Sequence, residues 1–131
     1  MTDTQQPARP YLRTPAISPD GMLVAFVHAA DIWIVPIDGG VAERLTANPA
    51  GHGYPRFSPD GAQLAFSSGR TGQGDIYVLP LGGGAVHRVT CHDSYNAVEA
   101  WSPDGQHLFF SSGRDQQSSA IYRVDARGGT P

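Results

Sequence analysis

Ser-Pro-Asp-Gly occurs three times in this chain, at Ser18–Gly21, Ser58–Gly61 and Ser102–Gly105, separated by 40 and 44 residues and each time inside the same longer phrase. A phrase that returns at such a period marks stacked copies of one supersecondary unit, which constrains the fold more than any single residue does. Aligned on it, the first copy runs through Leu23-Val-Ala-Phe26, Asp31-Ile-Trp-Ile-Val35, Gly39-Gly40 and Arg44-Leu-Thr46. The second has Leu64-Ala-Phe66, Asp75-Ile-Tyr-Val-Leu79, Gly82-Gly83-Gly84 and Arg88-Val-Thr90; the third has Leu108-Phe-Phe110, Ile121-Tyr-Arg-Val124 and Gly128-Gly129.

Short runs rich in Val, Ile, Leu, Phe and Tyr, punctuated by Pro-Asp-Gly and Gly-Gly, read as strands and tight turns. Four strands per copy is the natural count: a (ending at Ile17, Phe57 and Trp101), b, c, and d (ending at Thr46 and Thr90). Four strands in about 40–45 residues is the signature of a β-propeller blade. The expectation is an all-β chain: a partial β-propeller of three blades of four-stranded antiparallel sheet over residues 11–131, with blades at about 11–46, 53–90 and 96–131. Residues 1–10 are expected to form a flexible N-terminal arm. The third copy reaches its Gly-Gly pair without a following Leu-Thr or Val-Thr, so its outer strand should be lacking. Three blades do not close a ring, which leaves three explanations open: a piece of a longer protein, two copies closing a six-bladed ring, or an open wedge.

Pro presets φ for a turn corner, Asp supplies an acceptor, and Gly tolerates positive φ, so Ser-Pro-Asp-Gly reads as the a–b hairpin rather than a catalytic pair. Phe26, Phe66 and Phe110 share one position of strand b, and Trp33, Tyr77 and Tyr122 one of strand c. Such recurrence suits packing across the gap to the next blade. Asp31 and Asp75 open strand c, where an aspartate can accept from turn amides of its own blade; Ala120 replaces them in copy three, which should be looser.

A net charge of −3 supplies no basic field for nucleic acid, and no apolar run approaches a membrane span. Met1–Pro10 has no apolar core of a secretory signal or anchor, so residence in the cytoplasm is the default. The lone Cys91 agrees with a reducing compartment and reads as a partly buried structural thiol. There is no Gly-x-Ser-x-Gly elbow, and the glycines at 69–74 and 82–84 lie between strands, so neither leads into a phosphate-binding helix. His87, Cys91, His92 and Asp93 carry zinc-type ligands, but His87 falls in strand d and the others in the next loop; a solvated loop is the better reading, with no metal and no other cofactor. Cys91 and His92 are adjacent in extended chain and point apart, which disfavours a nucleophile pair; no catalytic residue is assigned.

Arg70 and Arg114 both follow Ser-Ser-Gly, so they should project from one face of neighbouring blades, joined there by His52, His92 and Asp93. Such a rim could receive peptide carboxylates or a partner domain, because arginine forks bind carboxylates well.

The phrase aromatic-Ser-Pro-Asp-Gly, Leu-Ala-Phe-Ser-Ser, Asp-Ile-Tyr-Val, Gly-Gly, Arg-Leu-Thr resembles the propeller repeats of TolB and of tricorn-type serine peptidases, from Tyr11 to Pro131. The narrower resemblance is to the N-terminal propeller of the tricorn-like peptidases, carried by Ala30-Asp-Ile-Trp-Ile-Val-Pro36, Pro55-Arg-Phe-Ser-Pro-Asp-Gly61 and the linker Val89–Gly105, where Cys91 stands in place of an aromatic residue. It implies a multidomain cytoplasmic peptidase that degrades peptides. Its propellers route substrate or product, and its serine nucleophile lies in a separate C-terminal domain that nothing here matches. On that basis the chain is expected to be a non-catalytic module for protein or peptide interaction, partnered by the remaining blades or a second copy of itself. A stand-alone TolB-like scaffold is the alternative; TolB itself implies a periplasmic protein with a signal peptide.

Overall fold

A computed structural model of the chain describes residues 12–47, 50–70, 72, 74–114 and 118–129. The expected arm at residues 1–10 lies outside them. The described residues contain no helix and form three antiparallel sheets. Blade one holds β1 (Arg13–Ile17), β2 (Leu23–His28), β3 (Asp31–Pro36) and β4 (Glu43–Arg44) in that spatial order. Blade two repeats it with β5 (His52–Phe57), β6 (Gln63–Ser68), β7 (Asp75–Pro80) and β8 (His87–Arg88). Blade three has β9 (Asn96–Trp101), β10 (His107–Ser112) and β11 (Ala120–Asp125), so its sheet has three strands and β11 lies at its edge.

Each Ser-Pro-Asp-Gly folds identically. The glycine N–H donates to the serine carbonyl at 2.9 Å, and Gly21, Gly61 and Gly105 take φ of 73°, 73° and 72°. This is a type I turn closed by a left-handed residue. The serine hydroxyl donates to the aspartate at 2.6 Å and accepts the N–H of the first residue of the following strand, Leu23, Gln63 or His107. The serine bond first, then a backbone N–H two residues on, holds the carboxyls of Asp20, Asp60 and Asp104 below the ordinary range. These Ser–Asp pairs are turn locks.

The blades pack face to face. One core joins blades one and two through Ala25, Val27 and Ile32 against Leu64, Phe66 and Tyr77. A second joins blades two and three through Ala65, Ile76 and Val78 against Leu108, Phe110 and Val124. The recurrent aromatics pack in pairs: Phe66 stacks on Tyr77 at 6.0 Å and Phe110 on Tyr122 at 5.8 Å. Because they project from the face turned to the preceding blade, they fill that gap and not the gap to the next blade, correcting the expected direction. Phe26 and Trp33 occupy the same positions on the outer face of blade one, half-buried beside Val24 and Val35.

Candidate functional site

Two sets of polar residues hold the blades, and both include residues singled out by sequence. The first clamps strand d. Asp31 accepts the Thr46 hydroxyl at 2.9 Å and is bridged by Arg44, while the Thr46 oxygen accepts the Ile32 N–H at 3.0 Å. Asp75, Thr90, Arg88 and Ile76 reproduce the arrangement in blade two. Burial alone would raise the Asp31 carboxyl, but the bonds from Thr46 and Arg44 and the nearby His52 hold it below its ordinary value. The aspartates are structural, as expected, but their partners are the Arg-x-Thr of strand d. With only two residues in β4 or β8, this clamp contributes much of the attachment of the outer strand.

The second set joins neighbouring blades. The His52 N–H donates to the Ala30 carbonyl at 2.9 Å, and the ring Nδ1 lies 3.1 Å from the same oxygen. Ala29 and Ala30 form the two-residue β2–β3 turn with φ of 49° and 66°, a primed turn that presents this carbonyl to blade two. Asn96, at the matching position of blade three, grips the Gly74 carbonyl with its N–H and its Nδ2, both at 3.1 Å. Arg70 donates to His52 Nε2 at 3.0 Å and lies over the Tyr77 ring at 4.6 Å; Arg114 donates to Asn96 Oδ1 at 3.1 Å and lies over Tyr122, also at 4.6 Å. The forks of both arginines thus reach the residue that clasps the preceding blade, and each cation also rests on an aromatic face. A guanidinium only donates, so Nε2 of His52 accepts, and Nδ1 carries the proton to Ala30. Burial first, and Arg70 beside it, lower the His52 pKa against the opposing pull of the Ala30 carbonyl and Asp31.

The structure therefore brings Arg70 and His52 into contact and gives Arg114 an equivalent partner, Asn96. His92 and Asp93 lie in the exposed β8–β9 loop, with His92 Nδ1 accepting the Ser94 N–H at 3.1 Å. His87 bonds the Ala126 carbonyl through Nε2 at 3.1 Å. Cys91 is exposed, not partly buried as expected, because it begins that loop immediately after the buried Thr90. Among the described residues no three His, Cys, Asp or Glu side chains converge as metal ligands would, and no helix is long and apolar enough to cross a membrane.

Sequence reasoning missed the inner edge of the array, where β5 lies against both β1 and β9. Strands β1 and β5 bulge at Thr14–Pro15 and Tyr54–Pro55, and Thr14 and Tyr54 take φ of 47° and 55°. Proline has no N–H for the ladder and suits a bulge, so Pro15 and Pro55 were the available signal. Tyr54 and Tyr95 meet edge to face there, with centroids 6.5 Å apart.

A family model described as the tricorn protease N-terminal β-propeller domain matches residues 9–131. The chain belongs to this family. The tricorn protease homolog 1 of Streptomyces coelicolor is 48% identical over 68 residues, which cover 51% of this chain and 6% of that protein. The putative tricorn protease homolog 2 of the same organism is 47% identical over 62 residues, 47% of this chain and 5% of that protein. The chain thus spans a small part of the length of these relatives. Among solved structures, TolB of Acinetobacter baumannii superposes with a TM-score of 0.77 at 30% identity, covering 98% of this chain and 34% of TolB. The tricorn protease superposes at 0.75 and 24% identity, covering 87% of this chain and 12% of the enzyme, a likeness of fold. The blade architecture read from the repeat is thus that of the tricorn and TolB propellers, here as an open array.

Proposed function

We propose that this tricorn-type propeller segment is a non-catalytic module for peptide or protein interaction, acting in a cytoplasmic tricorn-like system of peptide degradation. The observation that carries the reading is the engagement of its chemically capable side chains. All three Ser–Asp pairs lock turns, Asp31 and Asp75 clamp strand d, and His52 clasps a neighbouring blade. What remains presented is concave surface along the inner edge and the rim of the β8–β9 loop. In this reading His92 and Asp93 meet a partner directly, while His52 positions Arg70, and Arg70 and Arg114 shape the same rim. The other blades of a longer propeller would cover the apolar outer face around Phe26 and the exposed Ile121, which is 62% accessible.

Equilibrium dialysis of the chain against a set of free hexapeptides, with mass spectrometry of both compartments, tests this. Retention of intact peptides is expected; cleavage products, or no retention of any peptide, would overturn it.

The extent of the TolB likeness, together with the uncovered face of blade one, favours one second reading: a stand-alone TolB-like scaffold completed by a second copy. Light scattering across a dilution series decides it. A dimer stable to dilution supports the second reading, and a monomer removes it.

A further inference from the structure

Tyr54 is a bulky residue in the left-handed region, a strained conformation that persists only where surrounding structure enforces it. Here the enforcement is visible. The bulge beside Pro55 turns Tyr54 toward β9, where its ring meets Tyr95. Tyr95 is seated in turn by Gly74: a Cβ there would lie 2.6 and 2.9 Å from two atoms of the Tyr95 ring. The same glycine supplies the carbonyl gripped by Asn96, so the ring is tied to the joint between blades two and three.

Despite this support, Tyr54 and Tyr95 remain 38% and 50% exposed. They form the shared wall of two concavities, of about 450 and 510 Å³, on the inner edge. Each is within the size range of small-ligand sites. Arg13 and Thr14 line the first, and the Thr14 hydroxyl is buried without a hydrogen-bond partner among the described residues. Ser94, Ser112 and Glu99 line the second. The trough is therefore cationic at one end, aromatic in the middle and anionic at the other. Burial first and Tyr54 second push the Tyr95 hydroxyl up to about 12, so that ring stays neutral at physiological pH.

We infer that the trough across Tyr54 and Tyr95 binds an extended peptide, with an apolar or prolyl side chain on the tyrosine pair, its C-terminal carboxylate toward Arg13 and Thr14, and a cationic group toward Glu99. A tyrosine pair supplies rigid amphipathic contact at small entropic cost. The charges at either end match the two termini of a short peptide. This inference rests on the interaction reading above and assigns that interaction to particular residues.

The test is amide chemical-shift mapping on the full chain, titrated with hexapeptides that begin with Lys, carry Pro, Leu, Phe or Asp centrally, and have a free or amidated C-terminus. Shifts are expected around Tyr54, Tyr95, Ala97 and Ser112, with the Pro, Leu and Phe peptides binding more tightly than the Asp peptide. Amidation should weaken binding several-fold; equal affinities would overturn the orientation. Tyr54→Gly should remain folded, because glycine takes the positive φ freely, yet bind at least tenfold more weakly, as should Tyr95→Ala. Binding that maps elsewhere, or that survives both substitutions, would refute this site while leaving the interaction reading in place. No binding by any peptide would refute both.

Discussion

His52 and Asn96 perform one task in two blades, but only His52 can titrate. Replacing His52 by Asn should therefore preserve the clasp while removing a pH dependence. In blade three the asparagine donates to Gly74 and accepts from Arg114, so the substituted asparagine has a ready pattern to copy against Ala30 and Arg70. The His52 side chain is wholly buried, and its Nε2 accepts from a permanent cation; protonation would place a hydrogen between two donors. Asp31, with an oxygen 3.5 Å from Nδ1, offsets part of that penalty. The folded pKa lies below the ordinary value, so below about pH 6.5 the unfolded chain takes up the proton before the folded one does. Stability contributed by neutral His52 is thus complete above that pH and declines as pH falls toward the folded pKa. The decline is at most about 1.4 kcal/mol per pH unit. Urea unfolding from pH 7.5 to pH 5.5 measures it as the difference in slope between the two proteins. The wild type should lose more stability than His52→Asn over that range, by no more than about 1.4 kcal/mol. Asparagine gives up the ring contact with Phe66, so an offset of about 1–2 kcal/mol at pH 7.5 is expected and does not bear on the slope. Parallel pH profiles would show that His52 does not clasp blade one in its neutral form.

Two further substitutions probe the other joints. Asp75→Ala removes the acceptor for Thr90, Arg88 and Asn96 at a residue only 2% exposed. It should cost about 2–4 kcal/mol in chemical denaturation, below the full price of a broken buried pair because Arg88 can regain water; a loss under about 1 kcal/mol would contradict the clamp. Gly61→Val places a β-branched side chain at φ 73° and 3.6 Å from Pro19 of the preceding turn, and should destabilise by about 1–2 kcal/mol. An unchanged melting curve would refute the turn assignment.

The blade was legible because its period, its turns and its strand ends are written in local residues. Strand a ends at Ile17, Phe57 and Trp101, and the Ser-Pro-Asp-Gly corners fold within four residues of one another in sequence. The clamps were only half legible, since they join residues 13–15 apart. Asp31 and Asp75 stood out, but nothing in the residues around them points to the Arg-x-Thr of strand d as their partner. The shared Ser-Ser-Gly places Arg70 and Arg114 on a common face. Their bonds to His52 and Asn96 depend on where the preceding blade's carbonyl lies, which a pattern of residue types does not encode. Tyr54 escaped notice because a bulge moves one residue out of the alternation on which strand reading relies.

An open three-blade array with β11 at its edge is tested most directly by native-state hydrogen exchange at single-residue resolution. The Ile76 N–H, bonded to Thr90, points toward strand d, so by equivalence the amides of Ile121 and Arg123 point to the side where the described residues of blade three place no strand. Ile121 and Arg123 should exchange fast while Tyr122 and Val124, turned to β10, exchange slowly, and Ile76 and Val78 should be among the last amides to exchange. Protection of Ile121 and Arg123 equal to that of Ile76 and Val78 would mean that the edge is covered, contradicting the open array.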